Sequence, residues 1–323
     1  MKNQSMKTFS QHLQQGWRAI VCSTVLLAML LAVSGPATAQ TANASEAMGP
    51  TLKKIADSGA IFLAYRDTAI PFSYINLAAQ PPVVVGYTWE ICGHVARAVR
   101  ERLARDIETI PVAVTANAQT LMLKTGMADL VCGAPTNTVA RQRQVAFSNT
   151  FFVAEVKAMV NKNSGIRSVA DLANRNVVTT LGTTADRLIK QAALANNVTM
   201  VFLGGRTHTD SMAMLERGEV AAYIGDDAIL AGMRAASKDR DQFVFLDASL
   251  SVEPYGIMLP RDDPQFKQLV DDTLVALMRS GELERIYNKW FLAPIPPLGT
   301  ALDMPMSARL REVIANPNDR PGY

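Results

Sequence analysis

Along residues 51–297 short apolar runs alternate with stretches whose apolar positions recur every three or four residues, the pattern of buried strands alternating with amphipathic helices. The runs Ala60–Tyr65, Thr109–Val114 and Ala128–Cys132 predict strands, and Ile91, Val95, Val99 and Leu103 predict one face of a helix opening at Gly86-Tyr87. Thr51 predicts a cap for a helix that Gly59 closes, and a further helix is predicted from Asn117 to Lys124, ended by Gly126. After Ser164-Gly165 a second series begins. It predicts strands over 176–180, 200–203, 220–224 and 243–246, and helices over 185–195 and 209–217, with another from Asp226-Asp227 to about Ala236. An apolar strand over 255–259 is then predicted, followed by a helix over 264–279, a break at Ser280-Gly281 and a helix over 282–291; the proline-rich residues 294–323 predict a surface tail.

Strands and helices alternating through short connections imply an α/β fold of mostly parallel sheets covered by helices. Extended crossings near 154–157 and 248–253 divide it into two lobes: lobe 1 from 51–155 and 250–297, and lobe 2 inserted between them at 156–249. Residues 40–50 read as a flexible leader into the fold and 298–323 as the tail. Two crossing strands form a hinge that can close on a ligand. In such sheets ligands collect at the carboxyl ends of strands, where both Arg66 and the turn after Cys132 fall.

That turn, Gly133-Ala134-Pro135-Thr136-Asn137-Thr138, ends a strand and supplies three residues suited to capping a helix. Its backbone N–H groups and the guanidinium of Arg141 just behind make an expected carboxylate site.

The first 39 residues carry Lys2, Lys7 and Arg18 without an acid, then an apolar run over 19–33, then Gly35, Pro36 and Ala37-Thr38-Ala39. This predicts a secretory signal cleaved after Ala39 and a mature chain exposed outside the cytoplasm, with no membrane insertion of its own. The leader holds three of the 32 basic residues, so the remainder has 29 against 29 acidic ones. A neutral mature chain gives no reason to expect nucleic acid as a partner. Cys92 and Cys132 are its only cysteines; they are either free buried thiols or a bridge.

The ordered motifs Pro71-Phe72-Ser73-Tyr74, Gly86-Tyr87, Thr136-Asn137-Thr138-Val139 with Arg141-Gln142, Ala146-Phe147-Ser148, Gly182-Thr183-Thr184, His208 with Asp210-Ser211, Asp226-Asp227-Ala228, Tyr255-Gly256 and Asp262-Asp263-Pro264 carry a resemblance. From about Thr51 to Pro297 the chain resembles the periplasmic amino-acid-binding proteins of ABC importers, in particular the glutamate/aspartate branch. The resemblance implies a two-lobed type II periplasmic-binding-protein fold, an inner-membrane ABC permease as partner, a monomer and no cofactor. It implies that Arg141, Thr136, Thr183 and Thr184 hold the ligand α-carboxylate and that Asp226 pairs with the α-ammonium. Arg66 and His208 would face a side-chain carboxylate, with Thr68, Phe72 and Ala134 also at the ligand. Ala134 stands where relatives often carry Ser, so one hydroxyl contact is missing. A ligand with two carboxylates needs two donor clusters, because an unpartnered buried carboxylate is costly; Arg66 and Arg141 supply one each.

No phosphate loop, nucleophile elbow or zinc motif is present, and His94 and His208 are the only imidazoles beyond the leader, so neither catalysis nor a metal is expected. The alternative is a secreted dehydratase of the same fold acting on arogenate or prephenate, with Glu155 or His208 as its acid or base.

Overall fold

A computed structural model describes residues 48–322; the predicted signal peptide and most of the predicted leader lie outside the described residues. The first part of the chain runs α1 (Pro50–Ser58), β1 (Ala60–Tyr65), β2 (Thr68–Ala69), β3 (Ser73–Asn76), β4 (Val83–Val85), α2 (Tyr87–Leu103), β5 (Glu108–Ala113), α3 (Gln119–Lys124), β6 (Leu130–Val131), α4 (Val139–Gln142) and β7 (Ala146–Phe147). Then follow β8 (Phe152–Asn161), β9 (Asn176–Thr180), α5 (Thr184–Ala195), β10 (Val201–Gly205), α6 (His208–Glu216), β11 (Ala222–Asp226), α7 (Asp227–Ala236) and β12 (Phe243–Phe245). The chain closes with β13 (Ser251–Tyr255), β14 (Met258–Leu259), α8 (Pro264–Arg279), α9 (Glu282–Phe291) and α10 (Ala308–Ala315).

Two sheets form. The first has the order β5-β1-β6-β14-β7, and the second β10-β9-β11-β8-β12 with β13 also on β8. Pairing is parallel across β5-β1-β6 and across β10-β9-β11, where each connection is a helix that covers a sheet face. The antiparallel pairs are those of β8 and β14. A small meander, β2-β3-β4, lies beyond β1.

The chain leaves the first sheet after β7 along β8 and returns along β13 to β14. β13 pairs with β8 from Ser251↔Val156 to Tyr255↔Phe152, so the two strands that join the sheets are hydrogen-bonded to each other. An aromatic cluster packs at this junction: the rings of Phe72, Tyr87, Phe152, Tyr255 and Phe291 meet at 4.9–6.3 Å, mostly edge to face. Phe72 is fully buried there.

Several expectations need correction in detail. Thr51 does not cap α1, because Gly49 holds the cap position and the Thr51 N–H donates instead to Asp263 Oδ2 (2.7 Å), while Asp263 Oδ1 caps α8 at the Phe266 N–H. A side chain 212 residues away thus supplies what local sequence implied of Thr51. The predicted strand over 255–259 is broken into β13 and β14 at Gly256-Ile257. The tail contains α10, capped by Ser307, whose Oγ accepts from Leu310 N–H. Beyond α10 the chain lies against the turn before α4: Asn137 Nδ2 and Gln142 Nε2 both donate to the Asp319 carbonyl (2.9 and 3.0 Å), and Gly322 N–H donates to Asn137 O (2.8 Å).

Cys92 on α2 and Cys132 at the end of β6 form a disulfide, with 6.1 Å between their Cα atoms, which resolves the alternative left by the sequence. It ties the helix covering the first sheet to the strand that enters the Gly133–Thr138 turn. A loop of this length stabilises by about 2–4 kcal/mol through the unfolded chain. Thermal unfolding with and without a thiol reductant should therefore show a midpoint several degrees lower on reduction; an unchanged midpoint would deny the bridge that role.

Candidate functional site

The carboxyl ends of β1, β6 and β11 and the turn after β9 converge on one small cavity of about 20 Å³. Eight of the expected residues line it: Arg66, Ala134, Thr136, Arg141, Thr183, Thr184, His208 and Asp226. Such a volume has room for about one water molecule, so admitting anything larger requires its two sides to part.

Arg66 directly follows β1 and is buried, with 7% exposure. Its Nε finds no partner and its Nη2 lies 3.5 Å from His208 Nε2. A guanidinium only donates, so the His208 Nε2 accepts and its Nδ1 carries the proton, directed to Thr180 Oγ1 (3.0 Å) and Tyr223 Oη (2.9 Å). Burial, reinforced by Arg66, holds the His208 pKa well below its ordinary value, and the ring is neutral. Burial also lowers the pKa of Arg66, but a guanidinium stays charged. The result is a buried cation whose close side-chain partner is a neutral ring.

Arg141 belongs to the four-residue helix α4, whose N-cap Thr138 accepts from the Arg141 N–H at 3.2 Å. Its Nη1 donates to Thr136 O (2.9 Å) and its Nη2 to Gly182 O (3.2 Å) across the cavity, which orients the fork and leaves three N–H groups for a ligand. Gly182 is required at this approach: its φ is +81°, and a Cβ would stand 2.1 Å from Asn117 Oδ1.

Asp226 ends β11 at the N-cap position of α7, without making a capping bond. Its Oδ2 accepts from the Tyr255 hydroxyl, and its Oδ1 is buried without a partner. Burial first, then the nearby Glu253 carboxylate, push the Asp226 carboxyl up to about 8. Asp227 is the acid that serves the backbone, accepting from the N–H of Ala228 (2.8 Å) and Glu155 (3.1 Å).

Two expected residues lie elsewhere. Phe72 does not line the cavity; it is core, backing Tyr255 at 5.2 Å, because an apolar ring at the junction gains more from the aromatic cluster than from a polar cleft. Thr68 is behind His208, its Oγ1 accepting from the His208 N–H at 3.3 Å.

The structure adds residues that sequence reasoning missed. Gln119, at the start of α3, is 4% exposed and lines the cavity with Ala116 and Ile229. Glu253 on β13 is 4% exposed, and its Oε2 accepts from both Thr136 (2.6 Å) and Thr184 (2.7 Å). A lone acid in a crossing strand, alternating with Tyr255 on one face, was the available signal. No group of three His, Cys, Asp or Glu among the described residues could hold a metal.

Two sheets joined by a pair of strands, with a charged cleft at their carboxyl ends, define a two-lobed binding protein. Residues 61–293 match the family of bacterial extracellular solute-binding proteins, family 3, and the chain belongs to that family. It is 36% identical over 299 residues to the "Glutamate/aspartate import solute-binding protein" of Escherichia coli strain K12, covering 92% of this chain and 97% of that one. To the "L-glutamate/L-aspartate-binding protein" of Pseudomonas aeruginosa it is 37% identical, over 92% of this chain and 96% of that one. Among solved structures, a mutant of ArgBP from T. maritima aligns with a TM-score of 0.65 at 25% identity, over 74% of this chain and 98% of that one. The fold is that of type II periplasmic binding proteins, and the relatives named here are binding proteins, not enzymes.

The raised pKa of Asp226 has a consequence for stability. Between the unfolded value near 4 and the folded value near 8 the unfolded chain gives up a proton that the folded one keeps, so stability falls as pH rises, by at most about 1.4 kcal/mol per unit. Asp226→Asn should flatten the decline in unfolding midpoint between about pH 5 and about pH 8; an equal decline in both proteins would place the titrating group elsewhere.

Proposed function

We propose that this chain is a periplasmic receptor that closes around L-glutamate or L-aspartate and delivers it to an inner-membrane ABC permease. The observation that carries this reading is Arg66: a second buried guanidinium, beyond the one that any amino-acid carboxylate needs, with no acid bonded to it. A neutral amino acid would leave that charge uncompensated in the closed cleft, whereas a side-chain carboxylate would pair with it. The names of the relatives at 36% and 37% identity support the same ligand class.

In this reading Arg141 takes the α-carboxylate and Asp226 Oδ1 takes the α-ammonium. His208 fixes Arg66 against the side-chain carboxylate, acting as its acceptor and not as a charged ligand group. The lobes comprise 51–155 with 250–297, and 156–249, and they turn about β8 and β13; closure excludes water and strengthens each charge pair. The signal peptide is removed after Ala39 and the mature chain works as a monomer. No helix among the described residues is long and apolar enough to cross a membrane.

Titration calorimetry over a panel of amino acids tests the reading: glutamate or aspartate should bind best, and tightest binding of glutamine or a basic amino acid would refute it. Arg141→Ala should abolish binding of every amino acid, a loss of about a hundredfold or more. Arg66→Ala should weaken glutamate and aspartate far more than a neutral analogue. Equal losses for both would remove Arg66 from side-chain recognition.

A further inference from the structure

Glu253 is a buried charge that the binding scheme above leaves unused. Its Oε2 is held by Thr136, from the turn after β6, and by Thr184, from the start of α5 on the opposite side of the cleft. Each hydroxyl has a single proton, so neither can donate to Glu253 and to a ligand carboxylate at once. Glu253 Oε1 has only a 3.4 Å contact from Ser251 Oγ. On the same face of β13, Tyr255 donates to Asp226 Oδ2, so one strand reaches Asp226, which lines the cavity with its Oδ1 unpartnered, and holds Glu253 behind the cavity residues Thr136 and Thr184, near enough to act on the Asp226 carboxyl.

The charges that face this pair can be counted. Arg66 comes from the end of β1 and Arg141 from α4. Asp226 and Glu253 come from β11 and β13. His208 on α6 is neutral, and Tyr223 and Tyr255 keep their protons because burial raises both. Asp227 is spent on backbone N–H groups, while Asp67 beside Arg66 and Arg187 on α5 are exposed to solvent and screened. With both acids ionised, the two guanidinium groups are already balanced. An amino acid with two carboxylates and one ammonium would then bury an uncompensated negative charge. With one proton on the acid pair, the cleft is a net monocation and the same ligand neutralises it.

We propose that Asp226 and Glu253 act as one acid pair that holds a single proton before and after binding, and that this proton makes the cleft prefer an amino acid of net charge −1 to its neutral isostere. The inference rests on the acidic-amino-acid reading above. Before binding the proton lies on Asp226, in keeping with the direction in which burial and Glu253 move that carboxyl. The ligand ammonium takes its place at Oδ1 and the pair keeps the proton, so none is exchanged with solvent near neutral pH.

Calorimetry with the full chain, using L-glutamate and L-glutamine between about pH 6.5 and about pH 9 in buffers of different ionisation enthalpy, tests this. At neutral pH glutamate should bind with no net proton exchange. Above about pH 8 its affinity should fall by up to about tenfold per unit with uptake of one proton, while glutamine affinity does not fall. Glu253→Gln leaves a single acid beside two guanidinium groups, and its glutamate affinity should stay flat over that range. A constant glutamate-to-glutamine ratio in the wild type, or the same pH profile in E253Q, overturns the proposal. If E253Q does not fold, the wild-type profile and proton count decide alone. Tight glutamate binding without this pH dependence defeats the acid pair only, whereas binding of another amino acid and not of glutamate or aspartate defeats the functional reading and the pair with it.

Discussion

The structure depends on keeping charged groups out of water without giving them full partners. Arg66 has a bare Nε, Asp226 a bare Oδ1, and both are buried within one cavity. Each such group weakens the folded chain by an amount that a well-paired ion would not. What makes them tolerable is proximity: two guanidinium groups and the Asp226 carboxyl line the same small space, Glu253 is bonded to its Thr136 and Thr184, and the neutral ring of His208 gives Arg66 an acceptor. That compromise leaves the site short of partners that an amino acid can supply.

Their placement follows from the sheets. Arg66 and the Thr136 turn follow parallel strands of the first sheet, and Asp226 and the Gly182-Thr183-Thr184 turn follow parallel strands of the second. Charged side chains there face a crevice that no helix covers. The crossing strands contribute as well, because β13 sets Glu253 and Tyr255 on one face against the cavity residues Thr136, Thr184 and Asp226 while its pairing with β8 keeps the two sheets attached. Behind it the aromatic cluster around Phe72 packs against Tyr255, the residue that donates to Asp226.

Much of this was legible in the chain because the signals were local. The helices over 264–279 and 282–291 are bounded as the sequence implies, since Asp263, Pro264 and Gly281 punctuate them regardless of tertiary context. Eight cavity residues were recognisable from motifs that repeat a family pattern. What escaped was determined at a distance. Asp263 takes over the role expected of Thr51 from the far end of the chain; Glu253 is one acid in an extended crossing, with no partner in its own neighbourhood; and Gln119 reads as an ordinary polar residue at the start of a short helix. The tail helix α10 was hidden because it buries little of itself, Leu310 being its one buried residue. Phe72 was assigned to the ligand from its motif, although a fully apolar ring beside other rings belongs to the core.

Residues 318–322 support the turn before α4 from outside both sheets. Residues 318–322 lie across Thr150 and Asn137, and the Asp319 carbonyl is gripped by the side chains of Asn137 and Gln142, the latter adjacent to Arg141. Residues 318–322 therefore splint the loop that carries Arg141. The setting of Arg141's neighbour Gln142 is thus fixed by backbone 177 residues further along the chain.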